Sequence, residues 1–596
     1  MKKIISRCMA VLLTVAMILT MSMTAFASEG TSEAVAAATG KLTVNNTVAG
    51  KTLDLYQIFT AVKANGSVLY TLNSAYDGFF KDKVDNGTTL EEEALSKAAY
   101  EYVKTQVGDT GEAETAKTFA KDILAWILAA KEEVKTAVDA TLTTADTTDS
   151  STVIANLSYG YYLVYPEGAT DTSSAPGNQT YTSVASLVSV TDENATISMK
   201  SNYPTVDKKL IPAQSGSGLT VGDIVNSSWE SIHQGELEDE NDAEDTIAPH
   251  GVATGESKNA ADFAIGDTVT YQLTSKVPDM TGYNSYTFNF IDTLSKGLDL
   301  KEILSVKVGD KELKAGATGD YTYLPTYATN SDGTHTLTIK FNDFYKLYKD
   351  LTGTSITVVY TATLNKDAVI GMNPNTNKAV VEYSNKPGTD QTGKSEPSEV
   401  DVHTFDFKIF KHYVVGEAKK PLAGAKFELY KANTDGTAAD ENKKVNIVKV
   451  EDGVYRQATL EEVSAEGGFT SAVITSGTDG YAHVKGLEAG IYYLRETKAP
   501  EGYNKLTDDI KIEIKAEYNE STGKLTKYTV TYTYGDKTGT VENTDKNNAP
   551  EVPVENKAGA QLPSTGSKGA LMITLAGIVL FGALTVSKAF RKRKAD

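Results

Sequence analysis

The chain contains a single cysteine, so no disulfide can form within it. The only cysteine, Cys8, lies in an N-terminal segment with a basic start, an apolar middle and a small-residue site at Ala25-Phe26-Ala27. This pattern predicts a secretory signal peptide over residues 1–27, cleaved after Ala27. An exported protein without disulfides needs large cores or some other stabilising device.

Positive charge and histidine are also scarce. The chain has 58 Lys and Arg against 78 Asp and Glu, and the net charge of −20 argues against nucleic acid as a partner. The 6 histidines are scattered without metal-ligand spacing, and no nucleophile motif is present. The sequence therefore predicts no metal, no cofactor and no turnover enzyme, and it makes an exported enzyme the weakest interpretation.

The acidic stretch "GELEDENDAED", residues 235–245, is the one place where a cation could be considered. Its spacing does not fit an EF-hand loop. A run of like charge is usually solvated. We interpret it as a solvated loop in preference to a calcium site.

What the sequence does have is strand-forming residues, including 32 tyrosines and many threonines. Segments such as "DTVTYQLTSKV" and "YTFNFIDTL" alternate with period two, whereas "AKTFAKDILAWILAAKEEVKTAVDA" has helical periodicity. A chain of 596 residues is too long for one core. The prediction is a mainly β fold of tandem immunoglobulin-like sandwich domains at 40–200 (with helical insertions), 203–402 and 403–546, followed by a Pro-bearing linker at 547–561.

The C-terminal end, residues 562–596, has three parts in a fixed order. A pentapeptide is followed by an apolar run of about twenty residues, long enough to span a bilayer, and by a basic tail that should stay cytoplasmic. Taken alone, this is a membrane anchor. The order resembles the LPxTG cell-wall sorting signal of Gram-positive surface proteins, which implies that a sortase attacks the threonine carbonyl and that the span is temporary. The pentapeptide is Leu562, Pro563, Ser564, Thr565 and Gly566.

The third predicted domain contains "FELYK" and "GIYYLRETKAPEGY". These motifs resemble the Cna B-type domain of Gram-positive surface proteins and pilins. The resemblance implies an isopeptide bond between a lysine on the first strand and an asparagine on the last, with a nearby acid as catalyst. Strand alternation independently turns Lys411, Glu496 and Asn543 towards the core. We predict a Lys411–Asn543 bond promoted by Glu496.

The competing interpretation is a buried ion pair of Lys411 and Glu496, or a twisted strand that exposes both. A buried pair gains little because desolvation offsets its attraction. Burial among aromatic rings disfavours both charges, which leaves a nucleophilic neutral amine and a neutral acid. The neutral acid can then polarise the carboxamide and help ammonia leave.

The second predicted domain repeats the pattern. Alternation places Lys208, Asp292 and Asn377 on apolar faces, and "YTFNFIDTLSKGLDL" with "NTNKAVVEYSN" resembles the second domain of isopeptide-forming fimbrial subunits. We predict the same chemistry, with Asp292 as the acid. Lys209 is the alternative lysine, and Asn375 or Asn385 the alternative amide. In the first domain, Lys41 and Lys51 lie on polar stretches and "YGYYLVYPE" lacks the acid, so no bond is predicted there.

Lys200 differs from the other lysines. In "ATISMKS", it shares the polar face with Thr196 and Ser198, opposite Ile197 and Met199, and should be exposed. Sortase-built backbone pilins carry at this place a valine-tyrosine-proline-lysine motif whose lysine accepts the threonine of the next subunit. Here only the lysine and the preceding strand character match. We predict Lys200 as the acceptor, with Lys209 as runner-up and a solvated surface lysine as the alternative.

Together these resemblances imply an exported, cell wall-anchored backbone subunit of a covalently polymerised pilus. The implied partners are a pilus-specific sortase, identical subunits joined head to tail, accessory pilins and peptidoglycan, without nucleic acid. Each internal bond would form once, so the chain would not be an enzyme in the turnover sense. The alternative is a monomeric wall-anchored adhesin that binds a host surface or matrix ligand.

Overall fold

A computed structural model describes residues 38–64, 67–84, 90, 92–108, 114–169, 185–199, 203–211, 258–323, 328–519, 523–545 and 548–559. Several features singled out above lie outside these residues: the signal peptide, Lys200, the acidic stretch 235–245 and the sorting signal 562–596. The described residues form three domains in tandem, each built on two β-sheets. The predicted mainly β fold is confirmed.

Domain 1 packs helices against one of its two sheets. The sheet orders are β5-β1-β8 and β3-β2-β6-β7, with β4 paired to β2. One core lies between the sheets and a second under the helices, where Phe80, Phe119 and Ile123 are buried. The elements are β1 (Thr39–Asn45), β2 (Thr52–Ala64), β3 (Ser67–Leu72), a 3-10 turn (Ser74–Tyr76), α1 (Asp77–Val84), α2 (Glu92–Val107), α3 (Glu114–Leu128), α4 (Glu132–Asp139), β4 (Leu142–Asp146), β5 (Ser151–Ser158), β6 (Gly160–Pro166), β7 (Ser186–Val190) and β8 (Ala195–Ser198).

Domain 2 is a sandwich of a five-stranded sheet, β14-β13-β18-β11-β9, and an eight-stranded sheet. The larger sheet has the order β10-β21-β19-β12-β17-β15, with β16 on β17 and β20 on β19. Their inner faces share one apolar core. The elements are β9 (Asp207–Ile211), β10 (Lys258–Asp262), β11 (Thr268–Lys276), β12 (Phe288–Leu294), β13 (Leu298–Val308), β14 (Lys311–Glu312), β15 (Tyr321–Tyr323), β16 (Ala328–Thr329), β17 (His335–Phe341), α5 (Phe344–Tyr348), β18 (Ser355–Leu364), β19 (Asn375–Ser384), β20 (Thr392–Lys394) and β21 (Ser398–His403).

Domain 3 is a second sandwich. Its sheets are β23-β22-β29-β27-β26, with β34 on β22, and β25-β24-β30-β31-β32-β33, with β28 on β24. The elements are β22 (Phe405–Val415), β23 (Ala418–Pro421), β24 (Lys426–Ala432), β25 (Ala439–Lys444), β26 (Ile447–Glu451), β27 (Val454–Gln457), α6 (Leu460–Ser464), β28 (Ile474–Thr475), β29 (Tyr481–Leu487), β30 (Gly490–Lys498), β31 (Ile510–Tyr518), β32 (Leu525–Tyr534), β33 (Lys537–Asn543) and β34 (Glu551–Glu555).

The predicted end of this domain at residue 546, with a linker over 547–561, was wrong. Strand β34 lies within that segment and runs parallel to β22, with Val554 opposite Lys411. Val552 and Val554 are fully buried, so the period-two pattern of "EVPVEN" is that of a core strand. Pro553 suggested a linker, but proline is tolerated on an edge strand such as β34.

Side chains and backbone link neighbouring domains at both junctions. Between domains 1 and 2, Lys386 Nζ lies 2.5 Å from Glu167 Oε1, and Lys51 Nζ donates to the Tyr383 hydroxyl at 2.8 Å. Between domains 2 and 3, the backbone N–H of Ile265 donates to the Gly486 carbonyl at 3.0 Å. Gly486 has φ +81°, and a Cβ there would lie 2.5 Å from the Ile265 side chain, so only glycine fits this approach.

Candidate functional site

Lys208 and Lys411 are the only lysines in the described part of the chain that are buried. One lies in domain 2 and the other in domain 3, and each side chain is 0% exposed. Each shares its strand face with buried apolar residues, which are Val206 and Leu210 for Lys208 and Phe407 and Ile409 for Lys411. An isolated buried ammonium is very costly, so these two positions require an explanation.

In domain 2, the predicted lysine, acid and amide all face the same core. Lys208 comes from β9 in the five-stranded sheet. Asp292 and Asn377 lie on β12 and β19, which are paired in the other sheet with Leu294 opposite Asn377. Two-residue alternation therefore puts the carboxyl and the carboxamide on one inner face, at 1% and 0% exposure.

The amine, the acid and the amide are joined through a fourth residue, Tyr360 on β18. Lys208 Nζ lies 2.6 Å from Asp292 Oδ2 and 2.8 Å from the Tyr360 hydroxyl. That hydroxyl donates to Asp292 Oδ2 at 2.5 Å and accepts from Asn377 Nδ2 at 2.7 Å. Tyr360 was not predicted from the sequence, although alternation in "SITVVYTATL" turns it inward with Val358 and Ala362.

Burial sets the electrostatics of this cluster. It lowers the pKa of Lys208 to about 8, and the nearby Asp292 carboxyl opposes part of that shift. It also raises the pKa of the Tyr360 hydroxyl well above its usual range, again with Asp292 as the second cause. The amine is therefore much closer to its neutral, nucleophilic form than an exposed lysine, while the phenol stays protonated.

The alternatives left open by the sequence are occupied elsewhere. Asn375 accepts from the Val369 N–H at 2.8 Å and donates to the Val369 carbonyl at 2.9 Å, so its amide is held by backbone. Lys209 is half-buried on the opposite face of β9, and its amine lies 3.6 Å from Asp207 Oδ1. Asn385 packs against Gly168 at the junction with domain 1. These contacts favour Lys208 and Asn377.

In domain 3, lysine, acid and amide touch one another directly. Lys411 Nζ lies 3.2 Å from Glu496 Oε1 and is hydrogen-bonded to Oδ1 of Asn556. Asn556 Nδ2 donates to Glu496 at 3.0 and 3.3 Å. Burial lowers the pKa of Lys411 to about 8, with Glu496 opposing part of the shift. The cluster has a lysine on the first strand, β22, and an asparagine that directly follows the last, β34.

The predicted amide, Asn543, was the wrong asparagine. It is buried at 5% exposure, as alternation predicted, but it ends β33 at the far edge of the other sheet. Its Nδ2 donates to the Tyr528 hydroxyl at 2.9 Å, and Tyr528 donates to Asp406 at 2.6 Å. Asn543 therefore belongs to a separate polar network. The available signal was "EVPVEN", whose alternation continues from Val552 and Val554 to Asn556.

Lys200 and the residues Leu562–Gly566 cannot be placed, because they lie outside the described residues. The strand before Lys200 does alternate as predicted: Thr196 and Ser198 are exposed and Met199 is buried. Among the described residues, no helix is long and apolar enough to cross a membrane, and no group of His, Cys, Asp or Glu is arranged to hold a metal ion. Lys200 and the pentapeptide remain sequence predictions.

Three known families match successive parts of the chain. Residues 265–387 match the Gram-positive pilin backbone subunit 2, Cna-B-like domain. Residues 409–529 match the SpaA family, described as a prealbumin-like fold domain. Residues 554–596 match the LPXTG cell wall anchor motif.

Two curated proteins are similar to more than half of this chain. The trypsin-resistant surface T6 protein of Streptococcus pyogenes serotype M6 is 26% identical over 396 residues, covering 59% of this chain and 69% of that protein. The fimbrial subunit type 1 of Actinomyces viscosus is 22% identical, covering 58% of this chain and 66% of that protein, just under two thirds.

Solved structures also align with this chain, at lower sequence identity. The T6 backbone pilin of S. pyogenes serotype M6 is 16% identical with a TM-score of 0.42, covering 87% of this chain and 98% of that one. The major pilin SpaA of Corynebacterium diphtheriae is 16% identical with a TM-score of 0.41, covering 87% and 99%.

Proposed function

Because this chain belongs to the Gram-positive backbone pilins, we propose that it is the structural subunit of a covalently polymerised pilus reinforced by two internal isopeptide bonds. The pilin backbone domain and the LPXTG anchor motif carry the assignment to a sortase-processed, cell wall-anchored pilus. The internal bonds are Lys208–Asn377 in domain 2 and Lys411–Asn556 in domain 3. The observation that carries them is that both buried lysines contact a buried acid, and that a buried asparagine amide joins each cluster, directly in domain 3 and through Tyr360 in domain 2.

In domain 3 the chemistry follows from direct contacts. The neutral amine of Lys411 attacks Cγ of the Asn556 carboxamide, and the Nζ–Cγ bond forms. Glu496 touches both nitrogens, so it can take a proton from Nζ and give one to Nδ2. The Cγ–Nδ2 bond then breaks and ammonia leaves. An ion pair alone would pay for desolvation with little gain, whereas an amide removes both buried charges.

Between subunits, a pilus-specific sortase would cleave after Thr565 and transfer the acyl group to Lys200 of the next subunit. Such a head-to-tail contact does not close on itself, so it extends into a fibre. The apolar span after Gly566 would hold the chain in the membrane only until that cleavage. At the end of the fibre that carries the last Thr565 acyl group, peptidoglycan or an accessory pilin would accept it, and at the other end the free Lys200 amine would accept the acyl group of an accessory pilin.

This linkage makes a specific load path through the subunit. Tension would enter at Lys200, cross the bond from Lys208 to Asn377, continue to Lys411, cross to Asn556 and leave at Thr565. Residues 209–376 and 412–555 are bypassed by covalent bonds, which is a kinetic form of stability. Domain 1 precedes Lys200 and carries no load, which accords with the lack of a buried lysine among its described residues.

The chain is not an enzyme in the turnover sense, because each internal reaction consumes its own side chains. Glu496 and Asp292 act once per molecule. The rate at which each isopeptide bond forms therefore matters only relative to the rates of export and pilus assembly.

Wall extracts separated on SDS gels test the proposal. A pilin gives a ladder of SDS-resistant, high-mass bands, and Lys200→Ala should abolish the ladder while the control Lys209→Ala leaves it. A ladder that persists in Lys200→Ala would show that another lysine is the acceptor. A single wall-linked species in the unmodified protein would contradict the pilus and favour a monomeric adhesin.

A further inference from the structure

The acids of the two clusters differ in which groups their carboxyls contact. In domain 3, the Glu496 carboxyl lies within hydrogen-bond distance of both the lysine amine and the asparagine amide nitrogen. In domain 2, the aspartate is one methylene shorter, and its hydrogen-bond partners are Lys208 and Tyr360. The amide nitrogen of Asn377 donates instead to Tyr360, at 2.7 Å. The acid and the leaving group are thus connected through a phenol.

We propose that Tyr360 is a catalytic residue of domain 2, whose hydroxyl passes a proton from Asp292 to the amide nitrogen of Asn377 as the Lys208–Asn377 bond forms. This inference rests on the proposed cross-linking function and deepens it. Tyr360 contacts all three participants: the amine at 2.8 Å, the carboxyl at 2.5 Å and the amide nitrogen at 2.7 Å. It lies at the only point among the described residues where the three are joined.

The proton balance can be followed atom by atom. Neutral Lys208 Nζ attacks Asn377 Cγ, and the Nζ–Cγ bond forms while the carbonyl electron pair moves onto Oδ1. Once Cγ is tetrahedral, Nδ2 is an amine-like nitrogen with a lone pair. Asp292 takes the proton that Nζ gives up and passes a proton to the Tyr360 oxygen, and Tyr360 gives its own proton to Nδ2. The Cγ–Nδ2 bond breaks, and ammonia departs with the two amide hydrogens and one hydrogen that balances the loss from lysine.

Tyr360 returns to its starting state in this sequence. Because burial and the Asp292 carboxyl hold the pKa of its hydroxyl well above the usual range, a free phenolate is disfavoured and the two proton movements are coupled. The Asn377 Oδ1 atom accepts no hydrogen bond from the described residues. The buried Tyr271, which stacks on Tyr360, also lies near the Asn377 amide, but unlike Tyr360 its hydroxyl makes no hydrogen bond to the lysine amine or the Asp292 carboxyl.

Domain 3 contains a natural comparison that lacks the lysine. Tyr528 donates to Asp406 Oδ1 at 2.6 Å and accepts from Asn543 Nδ2 at 2.9 Å, the same acid–phenol–amide order. The second oxygen of Asp406 lies 2.6 Å from His483 Nε2, whereas in domain 2 the lysine amine and the phenol share Asp292 Oδ2. This network has no primary amine, so removing its phenol should not affect either cross-link.

The test follows bond formation in freshly synthesised mature chain, residues 28–565, by intact mass and by mapping of cross-linked peptides over time. Tyr360→Phe should slow closure of Lys208–Asn377 by about 100-fold or more, the usual contribution of a positioned proton donor. Closure of Lys411–Asn556 in the same molecules is the internal reference and should be unchanged. Tyr528→Phe, the matched control, should close both bonds at the unmodified rate.

A second variant separates proton transfer from packing. In Tyr360→Phe/Asp292→Glu, the longer acid should reach the amide directly, as Glu496 does, and recover at least tenfold of the lost rate. Equal domain 2 rates in the unmodified chain and Tyr360→Phe would overturn the inference. So would a loss that Asp292→Glu does not restore, because Tyr360 would then serve packing alone. If the unmodified chain never forms the Lys208–Asn377 bond, the proposed function itself fails in domain 2.

Discussion

Domains 2 and 3 place a lysine, an acid and an asparagine in their cores, but they take them from different strands. In domain 3 the lysine strand β22 and the strand before the asparagine, β34, are parallel neighbours in one sheet, and the acid reaches across from the other. In domain 2 the acid and the amide are on neighbouring strands, and the lysine comes from the opposite sheet. Both domains therefore bring the three groups together in a core from which water is excluded, but the strands that supply these groups differ between the domains.

The different strand arrangement also determines how much of each domain would be enclosed between the two bonded residues. The domain 3 bond sits at the end of the last strand, so almost the whole domain is enclosed between Lys411 and Asn556. The domain 2 bond ends at Asn377 on β19, and β20 and β21 follow it. These strands would remain on the load path between the two bonds. Domain 2 should therefore keep a short extensible segment that domain 3 does not have.

The largest effect should appear under force. When the mature chain is stretched between Lys200 and its C-terminus, the unmodified protein should extend only through uncrosslinked segments such as 378–410. Asn377→Ala should release residues 209–376 as well, adding on the order of 500 Å at about 3.3–3.6 Å per residue. Single-molecule force spectroscopy measures this difference. A full domain 2 unfolding step in the unmodified protein would contradict the cross-link.

The next effect is on thermal stability and distinguishes the two asparagines of domain 3. Asn556→Ala should lose the bond that closes a separation of 145 residues. By analogy with disulfide loops, this costs on the order of 5 kcal/mol in the free energy of unfolding. The expected drop in Tm is roughly 10–20 °C by scanning calorimetry. The intact mass of Asn556→Ala should fall short of the mass of its own sequence by one ammonia, whereas the unmodified protein falls short by two.

Asn543→Ala is the matched control in the same domain. It removes a buried amide from the Tyr528 and Asp406 network, which should cost about 1–3 kcal/mol, but it should leave the Lys411–Asn556 bond intact. If Asn543→Ala abolished the cross-link and Asn556→Ala did not, the placement of the bond would be wrong.

The contrast between these two asparagines shows what sequence could and could not predict. Alternation is a local pattern, and it correctly predicted that the side chains of Lys208, Asp292 and Asn377 face the core. It also correctly predicted the orientation of Lys411 and Glu496. Which asparagine meets Lys411 depends on which strand pairs with β22, and that is set by long-range sheet order. Asn543 and Asn556 both face inward, and only the pairing of β34 selects the second.

Tyr360 was missed for a different reason. On the inner face of a strand a tyrosine is indistinguishable by pattern from an apolar residue, because alternation reports burial and not hydrogen bonding. Its role depends on β9 of the same sheet placing Lys208 within 2.8 Å, and on the opposing sheet bringing Asp292 within 2.5 Å and Asn377 within 2.7 Å. The domain ends were similarly obscured by Pro553, whose effect depends on whether its strand lies at an edge.

The pH dependence of closure would show a moderate effect in both domains. The reactive pair, a neutral amine with a neutral acid, holds the same total number of protons as the ion pair of the same two groups. Its population is therefore constant below the lysine pKa of about 8 and decreases above it. The rate of bond formation should be level from about pH 6 to 8 and fall about tenfold per unit above that. A rate that rises to a plateau above pH 8 would instead indicate a carboxylate acting as base.

The smallest effect concerns domain 1, which has no predicted cross-link. Burial, and then the neighbouring Glu167, raise the pKa of Asp54 to about 7. Since the folded state holds this proton more tightly, the contribution of Asp54 to stability is complete below about pH 4 and is lost as pH rises through 7. Calorimetry of the domain 1 transition should show a decrease of a few degrees over that range that is smaller in Asp54→Asn. An identical pH dependence in the variant would contradict this assignment.

If each loaded domain forms its own covalent bond, peptide mapping of the mature chain by mass spectrometry should find both bonds. We expect an intact mass short by two ammonia molecules, with one branched peptide joining Lys208 to Asn377 and another joining Lys411 to Asn556. A mass equal to that of the unmodified sequence, or a branched peptide joining Lys411 to Asn543, would contradict it.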